Sequence, residues 1–148
     1  MYNLLKKTPY IFWGAIPFLI FYVFINSDKL IDINIKDTYF VMSIYMLIVP
    51  LILLLFSTGL AYYLAYYSEN FEPVSSLTII HVLITFSCLA ILFFAPRGAD
   101  IEPSKMIENL ENYRLYEDLF EYSVTGLIIA QVIFIINLVL SLFRRVES

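Results

Sequence analysis

The sequence predicts an all-α membrane protein, a four-transmembrane-helix bundle with both termini cytoplasmic. Three observations lead there. The 148 residues are 61% hydrophobic and only 15% charged, with a mean hydropathy of +0.81, whereas a soluble domain is nearer half apolar and a quarter charged. Residues 10–25, 40–67, 74–95 and 122–143 hold almost no ionisable group. Each approaches or exceeds the ~20 residues that cross about 30 Å of hydrocarbon as a helix. The polar segments between them are too short for a separate core. The chain therefore reads as one membrane domain with spans near 10–26, 38–67, 74–95 and 119–143.

The first span follows Lys6 and Lys7 and runs as YIFWGAIPFLIFYVFI, which has the look of a secretory leader. No small-residue cleavage pattern follows; the chain continues Asn26-Ser27-Asp28-Lys29. A retained helix is the expectation. The second span, helical from Thr38 to Tyr67, would be about 45 Å long, so its ends must stand in the headgroup region or the helix must tilt. Pro50 should kink it. Tyr62, Tyr63, Tyr66 and Tyr67 crowd its far end as an aromatic belt would.

The third span carries His81, with Thr85 and Cys88 on the same helical face at i+4 and i+7. An ionisable residue inside a membrane is a functional candidate. His81 is either a haem or metal ligand or a neutral imidazole hydrogen-bonded to a neighbouring helix. Paired histidines cannot hold a haem here, because the chain has one histidine. In the fourth span Gln131 and Asn137 suit interhelical hydrogen bonds. Ser57, Gly59 and Ala61, and likewise Ser123 and Gly126, offer small surfaces for close helix approach. Residues 96–118 form the outer loop, with six acids against three bases and a short amphipathic helix expected from about Ser104, after Pro103.

Several function classes fall away. A single cysteine, Cys88, excludes an intramolecular disulfide and a cysteine-pair redox relay. The net charge of −4 and a pI near 4.8 provide no basic patch for nucleic acid. No span contains Asp, Glu, Lys or Arg at depth, which counts against proton-coupled antiport. Orientation rests on placement. Lys6, Lys7, Arg144 and Arg145 abut the terminal spans, while five bases opposite are spread over acid-rich loops.

The stretch Asp32-Ile-Asn-Ile-Lys36-Asp37-Thr38-Tyr39-Phe40-Val41 resembles subunit I of the haem–copper cytochrome c oxidases. That family carries an aspartate, three residues, then His-Asp-Thr-Tyr-Phe/Tyr-Val at the outer entry to its tenth helix. Ile80-His81 and Phe93-Phe94, with Pro96 displaced by one residue, match the spacing of its eleventh helix. Nearly the whole chain is similar to the last four helices of that twelve-helix subunit. The resemblance implies a turn facing outward and both termini inside.

The departures are as informative. The family's metal-binding histidine is Lys36 here, so Asp32, Lys36 and Asp37 read as a degenerate cation site. The two haem-ligand positions hold Ile44 and Met46. Methionine can ligate haem iron, so Met46 and His81 are the candidate cofactor-binding residues. The resulting expectation is a non-catalytic accessory or assembly subunit of a respiratory complex in a bacterial inner membrane. Its partners would be lipids and other integral-membrane subunits, with no catalytic residue and no resident cofactor. The alternative is a haem- or quinone-binding electron-transfer protein acting with a partner.

Overall fold

A computed structural model of the chain describes residues 6–28, 30–35, 38–67, 73–94 and 110–143. Four helices, α1 (Thr8–Ile25), α2 (Ile44–Tyr67), α3 (Ser75–Phe94) and α4 (Leu110–Phe143), carry most of it. Strands β1 (Leu30–Ile35) and β2 (Thr38–Ser43) form an antiparallel pair between α1 and α2. Each helix is long and apolar enough to cross a membrane, α4 over Glu117–Phe143. Only 22% to 33% of the apolar stretch in each is buried, so most of it faces outward. Phe18, Phe24, Leu53, Leu64, Leu83 and Ile128 are among the exposed side chains.

In α1, Pro9 occupies the first turn, where a missing N–H costs no intrahelical bond. Asn26 ends the helix: its backbone N–H reaches the carbonyls of Tyr22 and Val23, and its side-chain Nδ2 donates to the Tyr22 carbonyl at 2.9 Å. The helix covers the expected first span, displaced by one or two residues.

The second span departs from expectation. Residues 38–43 form strand β2 rather than the first turns of a helix, with Ile35 opposite Thr38 and Ile31 opposite Met42. Thr-Tyr-Phe-Val is β-branched and aromatic and suits a pleated strand. The partner Leu-Ile-Asp-Ile-Asn-Ile alternates in the same period. Helix α2 starts at Ile44 and is about 36 Å long, so the mismatch expected for a 45 Å helix shrinks. Its inward stripe is Ile44, Ile48, Leu51, Leu55, Thr58, Tyr62 and Ala65, at the three- and four-residue spacing of one helix face.

Helix α3 matches its expected span within one residue at each end, and its buried face includes His81, Thr85 and Cys88. Helix α4 begins at Leu110, so residues 110–118 continue into the fourth span instead of forming a separate helix. No proline lies between Pro103 and Phe143 to end it. The expected start near Ser104 lies outside the described residues.

The closest helix pairs are α1 with α2 and α3 with α4. Trp13, early in α1, packs against Phe56 and Tyr63, late in α2. Asn137, late in α4, meets Thr78, early in α3. Neighbours in sequence are therefore antiparallel, and the start of α1 lies at the same end as the close of α4. Tyr22 on Phe93 joins α1 to α3 at the opposite end.

Two glycines set the close approaches. A Cβ at Gly59 would collide with the Trp13 indole, whose Nε1 donates to the Phe56 carbonyl at 3.3 Å. A Cβ at Gly126 would lie 2.5 Å from Cys88 Sγ. Gly126→Ala is therefore expected to destabilise the protein by about 1–3 kcal/mol through overpacking. Cys88→Ala should restore most of the loss. Unfolding midpoints in a denaturing-detergent titration measure both, and an unrescued loss would place the strain elsewhere.

Candidate functional site

Most of the buried polar groups collect at one end of the bundle. Asn137 of α4 lies at their centre. Its Oδ1 accepts the backbone N–H of Val74 at 2.8 Å, and its Nδ2 donates to Thr78 Oγ1 at 2.9 Å. The Val74 amide fixes the orientation of the side chain, because an N–H can meet only the amide oxygen. Thr78 passes its own proton to the Val74 carbonyl at 3.1 Å. Asn137 thus satisfies the entry turn of α3, where backbone donors lack intrahelical partners.

The second hydrogen of Nδ2 points at Tyr62 Oη, 3.4 Å away. Tyr62 Oη lies 3.1 Å from His81 Nδ1. Either the phenol donates to Nδ1 or Nδ1–H donates to the phenol oxygen, according to the imidazole tautomer. Tyr62, His81 and Asn137 are each 0% exposed.

Aromatic rings enclose the pair. Phe12 of α1 and Phe134 of α4 stack on the imidazole at 5.3 and 5.2 Å between centroids, with interplanar angles of 20° and 24°. Phe12 also stacks on Tyr62 at 6.0 Å and meets Phe86 at 5.6 Å. Every helix thus contributes to a single knot. The faces of His81 are occupied by carbon, and both its ring nitrogens lie in the remaining plane.

The sequence candidates scatter in this geometry. His81 is central, as its position inside a span suggested, but Met46 is 68% exposed near the start of α2. Sixteen residues of helix separate Met46 from Tyr62, about 24 Å, so Met46 and His81 cannot ligate one iron. Ile44 is fully buried and has no donor atom. These residues do not fit a haem held as in the oxidases. Among the described residues no group of three or more His, Cys, Asp and Glu is placed to hold a metal. Met46→Ala is expected to change stability by less than about 0.5 kcal/mol, as surface substitutions do. A larger shift in the unfolding midpoint would reveal a contact beyond the chain itself.

Asp32 stands opposite Val41 in the β1–β2 register, while Lys36 and Asp37 lie outside the described residues. Of the small residues, Gly59 and Gly126 meet the chain's own Trp13 and Cys88. Ser123 is buried, donating to the Leu119 carbonyl at 2.6 Å. Ser57 faces outward and bonds to the Leu54 carbonyl at 3.0 Å, with Ala61 half-buried.

Tyr62 is the residue that sequence reasoning missed as a site member. Grouped with three other tyrosines it looked like a belt, yet it continues the inward stripe of Leu55 and Thr58. Its neighbour Tyr63 stacks instead on Tyr67 at 5.3 Å. Phe12 and Phe134 carried no signal beyond being apolar.

No protein-family model matches the chain, and comparison with curated proteins and with solved structures finds no significant match.

Proposed function

We propose that the chain is a non-catalytic integral-membrane protein that serves as an accessory or assembly subunit of a respiratory complex. In this reading it spans a bacterial inner membrane four times, with both termini cytoplasmic. It resembles the C-terminal four helices of cytochrome c oxidase subunit I without that subunit's metal centres. The observation that carries the reading is the division of its side chains. Inward, Tyr62, His81, Thr78 and Asn137 are bonded in one network, while the outward surface of all four helices is apolar and available to lipid or to other membrane helices.

Two further features support a docked subunit. A shallow apolar groove of about 560 Å³ between α2 and α4 is lined by Leu64, Ala65, Ile135, Leu138 and Leu142, with Ser141 as its polar member. On the opposite end the hairpin exposes Leu30, Phe40 and Val41. Helix association in a membrane rests on packing and on interhelical polar contacts, since lipid tails are as apolar as leucine.

The test is purification of the tagged full-length chain from native membranes in mild detergent. Stoichiometric membrane subunits should co-purify. After dissociation from them the tagged chain should show no haem in a reduced-minus-oxidised spectrum. A chain that migrates alone and carries haem in equal amount would overturn the proposal.

A further inference from the structure

His81 Nε2, on the far side of the ring from Tyr62, is buried with no hydrogen-bond partner among the described residues, and with Tyr62 donating to Nδ1 it carries the imidazole proton. The ring is 0% exposed. Burying such a donor unpaired costs about 1–3 kcal/mol, and native interiors seldom leave one so.

Two more orphaned groups lie on the same two helices. Thr85 Oγ1, one turn along α3, is buried without a partner on a residue that is also 0% exposed. Gln131 Nε2 on α4 is likewise buried and unpaired. The pairing of the two helices shows where Gln131 falls. Thr78 meets Asn137, His81 meets Phe134, and Cys88 meets Gly126. On that ladder Gln131 comes between the levels of His81 and Thr85. Two N–H donors and one hydroxyl thus share one depth of the α3–α4 seam.

We propose that Tyr62 donates to His81 Nδ1 and that His81, Thr85 and Gln131 form a binding site for a single water molecule, which locks α3 to α4. Its oxygen accepts from His81 Nε2–H and from the Gln131 amide, and it donates one hydrogen to Thr85 Oγ1. Three hydrogen bonds are the usual complement of a buried water. A carbonyl oxygen would accept from the same two donors and from the Thr85 hydroxyl, so the experiment is chosen to distinguish the two. The rings of Phe12 and Phe134 cover both imidazole faces, so Nε2 is approached only in the plane of the ring. The site depends on the helix packing alone and holds whether or not the chain joins a larger complex.

Because the chain has one histidine, ¹⁵N-histidine labelling of the full-length protein in bicelles reports on this site only. The expected spectrum shows an unprotonated Nδ1, a protonated Nε2 and a cross-peak from the Nε2 proton to a long-lived water. In Thr85→Val the cross-peak should persist, since two donors remain to hold the oxygen. In Gln131→Leu it should lose at least half of its intensity. A proton on Nδ1, or the absence of any water cross-peak, would overturn the proposal. So would its disappearance in folded Thr85→Val, which would assign it to the hydroxyl proton. Cross-peaks to non-exchanging protons of a co-purified molecule would replace water by a carbonyl-bearing lipophile and overturn it equally.

Discussion

Phe12→Ala is expected to lower the stability of the bundle by about 2–3 kcal/mol. Phe12 is 0% exposed and is the contribution of α1 to the polar knot, stacking on both Tyr62 and His81. In a water-soluble core a Phe→Ala change costs about 3–5 kcal/mol, of which part is transfer from water and part is the cavity left behind. With the spans in a bilayer, as proposed, the transfer part largely vanishes, because a displaced α1 finds lipid as apolar as the core. The cavity part remains, since the lining atoms of Tyr62, His81 and Phe86 lose their contacts outright. Phe12→Leu should recover more than half of the loss. A denaturing-detergent titration of the three proteins decides the matter. A loss below about 0.5 kcal/mol, the range of surface substitutions, would mean that α1 is not held by this ring.

The same physics explains which parts of the fold could be read from sequence. Long apolar runs have few alternatives to a spanning helix, and each of the four runs contains a helix long and apolar enough to cross a membrane. The hairpin was hidden because Thr38-Tyr39-Phe40-Val41 flows without a break into Ile44-Tyr45-Met46. A continuous apolar run does not distinguish a strand from the start of a helix. The alternating isoleucines at 31, 33 and 35 were the available clue. They lie in β1, and a strand of that length needs a partner.

The site was legible one helix at a time. On α3 the i, i+4, i+7 spacing of His81, Thr85 and Cys88 placed them on one face, and all three are buried. Asn137 likewise read as an interhelical donor, and it bonds to α2 and α3. What no single helix could show was the neighbour. Adjacent tyrosines differ by about 100° around a helix axis, so Tyr62 points inward and Tyr63 does not. Choosing between them requires the rotation of α2, which Ile44, Ile48 and Leu55 fix only together. The oxidase-like spacing from Asp32 to Val41 is subject to the same limit. It names a pattern along the chain, and the candidate ligands Met46 and His81 that follow from it end far apart.

Asn137→Leu should cost about 2–4 kcal/mol, and its effect is polar where that of Phe12→Ala is steric. Three bonds disappear together: to the Val74 amide, to Thr78 and to the Tyr62 phenol. An interhelical hydrogen bond in a membrane protein contributes only about 0.6 kcal/mol on average. Most of the cost comes from the Val74 N–H, left facing a leucine methyl at the entry of α3, with a desolvation penalty of about 1–3 kcal/mol. Thr78→Val removes the acceptor of Asn137 Nδ2 together with the donor to the Val74 carbonyl, which keeps the Thr78 backbone N–H, and should cost about 1 kcal/mol. In a double-mutant cycle the two should couple by about 0.5 kcal/mol or more, since residues in one network are not additive. Strict additivity would show that Asn137 and Thr78 do not act as one network.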